Sequence, residues 1–99
     1  MTILHLAYAT DWHAATPGPY EISTRGRTLG QEGFIHCSHD RDQLDTVARA
    51  FYAGVTEPLL ILEIDPADLD VREENGFPHL YGPITADIVT AIHPYTPPA

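Results

Sequence analysis

Ile3–Tyr8 is a short apolar run interrupted only by His5, and it reads as a first strand. A short helical turn should follow, with Thr10 or Asp11 as its cap and Trp12 packing back. Thr16, Pro17, Gly18 and Pro19 break it. Residues 20–32 are polar and show no strand period, so they read as loop plus one helical turn near 28–32. Residues 33–37 form a short strand. Asp40 and Gln43 have capping-box spacing and open the clearest helix. Its buried stripe is Leu44, Val47, Ala48 and Phe51, and Gly54 ends it. Residues 58–64 are almost wholly apolar, as a central strand requires. Asp65 and Pro66 begin a brief turn. Val71–Glu74 and residues 77–81 flank Asn75-Gly76, a tight hairpin signal. Residues 88–93 make the last strand, and 94–99 read as a frayed end. About five strands and one good helix, in mixed order, point to a single α+β domain with a mixed or antiparallel sheet over residues 1–99.

Alternation also sorts the side chains that could carry chemistry. Ile35 and Cys37 face one way, toward the core; Phe34, His36 and Ser38 face the other. His36 reads either as an acid–base histidine with Ser38 as helper hydroxyl, or as a loop anchor with Ser38 capping the next helix. Phe77, His79 and Tyr81 share one face, and two aromatics around an imidazole suit the wall of a pocket for a ring-bearing ligand. Glu73 and Glu74 precede that turn. Either could stabilise positive charge or hold a ribose hydroxyl, against the plainer reading of a solvated hairpin flank. His5 lies between two leucines on the first strand, where a histidine is more often satisfied within the fold; His13 and His93 read as surface. Trp12 and Tyr20 are core or pocket rim.

Charge narrows the partners. Fourteen acidic residues oppose five basic ones, all arginine, for a formal charge of −9. Duplex nucleic acid and anionic membrane are poor partners for such a chain. Arg25 and Arg27 are the one close pair, enough for a small anion. The absence of lysine removes side-chain Schiff-base chemistry. Six histidines and one cysteine raise the question of metal, but no CxxC, HExxH or HxH spacing occurs. A single cysteine, Cys37, forms no internal disulfide and fits a reducing, cytoplasmic setting. The N-terminus lacks a signal-peptide pattern, and no apolar run is long enough to cross a bilayer.

Taken together, His5-Leu6, Trp12, Tyr20, the block GFIHCS at 33–38, Gln43, Phe51-Tyr52, Leu62, Asp65 and the block FPHLYGP at 77–83 resemble the bacterial family called domain of unknown function 952. That family looks related to the ADP-ribosyltransferase-like fold. The resemblance implies a small split β-sandwich with a cleft between two short sheets. In the wider group a first-strand histidine holds a ribose hydroxyl, an aromatic stacks on nicotinamide, and a glutamate stabilises a ribosyl oxocarbenium ion. It implies His36, His79 and Glu74 as candidate catalytic residues, and His5, Tyr20, Ser38, Phe77 and Tyr81 as candidate ligand contacts. NAD or another nucleotide is the implied cofactor or ligand. The chain lacks a Glu-x-Glu and the usual arginine-contact motifs of that group. The alternatives are a binding module that keeps the cleft without catalysis, and a protein-interaction or structural domain whose histidines are tied up in the fold.

Overall fold

The computed structural model describes residues 1–98. The architecture is α+β, with all strand pairs antiparallel. The first sheet holds β1 (Ile3–Tyr8), β5 (Leu59–Ile64) and β8 (Val89–Tyr95), with β5 in the middle. The second holds β4 (Ile35–His36), β7 (Phe77–Leu80) and β6 (Val71–Glu74), with β7 in the middle. A small hairpin of β2 (Ile22–Thr24) and β3 (Arg27–Thr28) makes the third. Three helices, α1 (Ala9–Ala15), α2 (Leu29–Glu32) and α3 (Arg41–Phe51), complete the fold with a 3₁₀ turn at Ala86–Ile88.

The near-continuous apolar run of β5 follows from its burial on both faces. Leu62 and Ile64 join Ile3, Ala7, Trp12, Tyr20, Ile35, Cys37, Leu80 and Ile84 in one core, which the two larger sheets share. Leu59 and Ile61 join Leu6, Leu44, Ala48, Tyr52 and Tyr95 in a second, beneath α3. The two larger sheets are tied at β1. Leu4 exchanges backbone bonds of 2.8 and 2.7 Å with Ser38, just past β4. β1 therefore lies between β5 and the end of β4, and this fixes His36 relative to the first sheet.

Several local expectations change. α1 starts directly off β1 with Tyr8 at the cap position and no side-chain cap, so neither Thr10 nor Asp11 caps it; Trp12 does pack into the core. Residues 20–32 contain the β2–β3 hairpin as well as the expected helical turn. Strands of three and two residues are too short to show a period. Thr28 and Gln31 form a full capping box on α2, and Gly33 closes it at φ 85°.

At α3, Asp40 accepts from the Gln43 amide at 2.9 Å, a cap worth about 1 kcal/mol. The Gln43 side chain does not close the box on Asp40. Its Oε1 accepts from His39 N (2.7 Å) and its Nε2 donates to Gly76 O (2.8 Å), joining the helix start to the β6–β7 turn. Leu44, Val47 and Ala48 are buried as expected, but Phe51 is 55% exposed and Tyr52 is buried instead. The helix ends at Phe51, and Tyr52 leaves helical geometry (φ −119°, ψ 14°), which turns its ring inward. Gly54 falls beyond the helix end. The expected fraying from residue 94 is not found. β8 runs through Tyr95, which is buried and donates to Asp45 at 2.5 Å. Ala99, the last residue of that segment, lies outside the described residues.

Candidate functional site

The pairing of β4 with β7 sets His36 directly opposite His79. Pairing of β7 with β6 sets Arg72 opposite His79, and Glu74 opposite Phe77. Directly opposed residues share a sheet face, so Phe34, His36, Phe77, His79, Arg72 and Glu74 lie together, with Tyr81 next along. Phe34 stacks flat on His79, with centroids 3.8 Å apart and planes at 6°. His36 lies 4.8 Å from Phe77 and 5.9 Å from His79, and Phe34 lies 5.8 Å from Tyr81. The other face carries Ile35, Pro78 and Leu80, all buried.

This register chooses between the two glutamates. Glu74 accepts from His79 Nδ1 at 2.8 Å and from the Tyr81 hydroxyl, both on Oε1. Glu73, opposite Pro78, points away and pairs with His39 Nε2 at 2.7 Å. Because a carboxylate only accepts, it is His79 Nδ1–H that donates in this pair. The two donated bonds, Tyr81 first and His79 second, hold the Glu74 carboxyl below its usual range. The Tyr81 phenol is raised by the same bond. Arg72 lies over the Tyr81 ring at 4.0 Å and is held there by Asp70.

His36 is the odd member. Its Nε2 is closed to solvent and has no hydrogen-bond partner. An unpaired polar atom of this kind costs about 1–3 kcal/mol, and a single buried water can satisfy it. Burial first, and His79 second, lower its pKa, so the ring is neutral at pH 7. A cavity of about 10 Å3 between Ser23, His36, Ser38 and Tyr52 is near the size of a single water. Two larger hollows, about 360 Å3 each, adjoin at Phe34, His36 and Phe51. One continues to Ser23, Arg25 and Arg27 on the β2–β3 hairpin and to Glu32 of α2. The other continues to Phe77, His79 and the flank of α3. Together they form a groove with aromatic walls and arginines at one end.

The structure thus brings His36, His79, Glu74, Phe77 and Tyr81 into one cluster. It places three others elsewhere. His5 is buried, with Nδ1 donating to His36 O (2.7 Å) and Nε2 accepting from Tyr20 OH (3.0 Å), so neither nitrogen is open to a ligand. Burial drives the His5 pKa down to about 4. Tyr20 is enclosed in the core, and burial raises its phenol. Ser38 is 3% exposed; it lines the small cavity and does not cap α3, which Asp40 does. His5 and Tyr20 therefore act on the site from behind, by fixing the backbone at His36. Cys37 faces the core, and burial pushes its thiol up to about 12, where it is protonated and unreactive. His13 and His93 are at the surface.

Phe34, Phe51, Arg25 and Ser23 are among the groove residues that were not sequence candidates. Phe34 was legible by its alternation with His36. Phe51 was assigned to the core because its helical spacing matches the buried stripe. Arg25 was visible only as half of a cationic pair, and Ser23 gave no signal. Among the described residues, no group of three or more His, Cys, Asp or Glu side chains is placed to hold a metal ion. No helix among them is long and apolar enough to cross a membrane.

Two solved structures are similar to this chain: protein CC0527 from Caulobacter crescentus and a double mutant of that protein. Each is 27% identical and covers 95% of this chain and 85% of its own, with TM-scores of 0.74 and 0.75. No curated protein matches the chain. The model of the family described as protein of unknown function (DUF952) matches residues 6–92, which contain both histidine-bearing strands and the groove, and the chain belongs to that family.

Proposed function

We propose that the groove binds NAD or another nucleotide and that the protein transfers or hydrolyses the ribosyl bond of that ligand. One feature carries the reading: an aromatic face that holds a carboxylate, an oriented histidine and, opposite it, a second histidine. The aromatic rings suit a planar base. Both donated bonds fall on Oε1 of Glu74, which leaves Oε2 for positive charge developing on a ribosyl ring. In the step itself, the bond from ribosyl C1′ to the base nitrogen breaks and its electron pair leaves with the base. Water or another hydroxyl forms the new bond to C1′, and its proton passes to Nε2 of His79. Kinship with the ADP-ribosyltransferase-like fold belongs to the same reading, supported by two small antiparallel sheets around a shared core with a histidine on the first strand. A reducing cytoplasm is its natural setting, in keeping with one buried, unpaired cysteine.

The test is an NMR titration of labelled protein with NAD, combined with an assay for released nicotinamide. Amide shifts clustered at Phe34, His36, Phe51, Phe77 and His79, with nicotinamide release, are expected. Shifts without release would reduce the protein to a binding module. No shifts at millimolar NAD or AMP would overturn the nucleotide reading.

A further inference from the structure

We infer that the groove recognises a nucleoside monophosphate unit, with the phosphate on Arg25 and the base laid against Phe51. The inference rests on the nucleotide reading and narrows it. Charge supplies the first argument. In a molecule of net charge −9, an anion needs a local cation that nothing else has claimed. Arg27 is paired with Glu32 at 2.7 Å, Arg41 with Asp45 at 3.5 Å and Arg72 with Asp70 at 3.0 Å. Arg25, in the turn of the β2–β3 hairpin, and Arg49, on α3, have no carboxylate partner among the described residues, and of the two only Arg25 lines the groove. Its guanidinium makes one long bond, 3.3 Å, to Phe51 O. Most of its N–H donors remain for a bidentate oxyanion.

Phe51 supplies the second argument. It is a large apolar side chain left 55% exposed at the end of α3, and it lines both hollows of the groove. A stacked base would cover it, and base–aromatic stacking tolerates any base. Arg25 reaches the Phe51 backbone carbonyl and both side chains line the same hollow, as a base and its 5′-phosphate require. Size supplies the third. One hollow of about 360 Å3 is at the small end of ligand sites, enough for a mononucleotide, and the adjoining one gives a dinucleotide its second half.

Calorimetry at low salt with adenosine, ribose 5-phosphate, AMP and NAD tests this on the wild type and the R25Q, R27Q and F51A variants. All three positions are exposed, and melting curves confirm that each variant folds. AMP should bind at least about tenfold more tightly than adenosine, as one charge-assisted bidentate contact supplies. R25Q should abolish that advantage and leave adenosine unchanged. F51A should weaken adenosine and AMP alike and spare ribose 5-phosphate. R27Q should cost AMP less than about threefold, because Glu32 already neutralises Arg27. NAD binding as tightly as AMP would identify the unit as half of a dinucleotide, and weaker NAD would identify a free mononucleotide; both support the proposal. AMP affinity unchanged in R25Q, equal losses in R25Q and R27Q, or AMP no tighter than adenosine would overturn it while leaving nucleotide binding intact. Failure of adenosine, AMP and NAD to bind at all would overturn the nucleotide reading with it.

Discussion

Acid should destabilise this protein well above the pH at which its carboxylates protonate, and His5 is the main reason. In the folded chain His5 is enclosed and neutral, with its pKa at about 4; in the unfolded chain it returns to 6.5. The sign follows from proton counts. Between these values the unfolded state holds a proton on His5 and the folded state does not, so stability falls as pH falls. The contribution is complete above pH 6.5 and is lost progressively down to about pH 4. At about 1.4 kcal/mol per pKa unit, the loss is about 2 kcal/mol by pH 5 and about 3 kcal/mol by pH 4. His36, also lowered, adds to the slope in the same direction. The assay is urea unfolding at fixed pH between about 5 and 7.5, on the wild type and on His5→Asn. Asparagine can still donate to His36 O but has no titrating ring. The variant should be less stable at pH 7.5, since the Tyr20 hydroxyl loses its partner, yet its pH slope should be shallower by about one proton, or 1.4 kcal/mol per pH unit. Parallel slopes for the two proteins would refute the assignment of His5 as a buried neutral base.

Two further outcomes follow from the bonds around the site. Tyr20→Phe leaves His5 Nε2 buried and unpaired; the expected loss is about 1–3 kcal/mol, seen as a fall in Tm of several degrees at pH 7.5, and an unchanged Tm would contradict the hydrogen bond. Glu74→Gln removes the carboxylate that raises the Tyr81 phenol, so NMR titration of labelled tyrosine should show the Tyr81 pKa fall back toward 10.0 while the fold is kept. A phenol that titrates at the same pH in both proteins would count against the Tyr81–Glu74 bond.

Much of this was written in local pattern. The alternation of Phe34 and His36, and of Phe77, His79 and Tyr81, placed two histidine-bearing rows on strands, and both rows are found there on one face. The Asn75-Gly76 turn gave the hairpin, and both residues adopt the positive φ that such a turn needs. The apolar run ending at Ile64 gave a central strand, because a strand covered on both sides has no polar face to show. Asp40 gave the start of α3 through a three-residue capping contact. These signals act over a few residues, where covalent geometry and period decide the outcome.

What the sequence by itself determined, then, is the α+β class, the main elements, the faces on which the histidines lie and the family. What only the tertiary structure decided is which of those residues meet. His36 faces His79 because the β4–β7 register couples distant positions, and Glu74 rather than Glu73 reaches the imidazole because of the register within the β6–β7 hairpin; a one-residue slip in either would exchange the faces. Phe51 is turned out and Tyr52 in because the helix stops at Phe51 and Tyr52, out of helical geometry, joins the second core. His5 and Tyr20 are withdrawn from the groove because their polar atoms find each other and the His36 carbonyl. Arg27 takes Glu32, while its neighbour Arg25 reaches the Phe51 carbonyl and has no carboxylate partner among the described residues. Each of these is a competition among distant groups for partners and space, and the local pattern of a chain contains no record of who wins it.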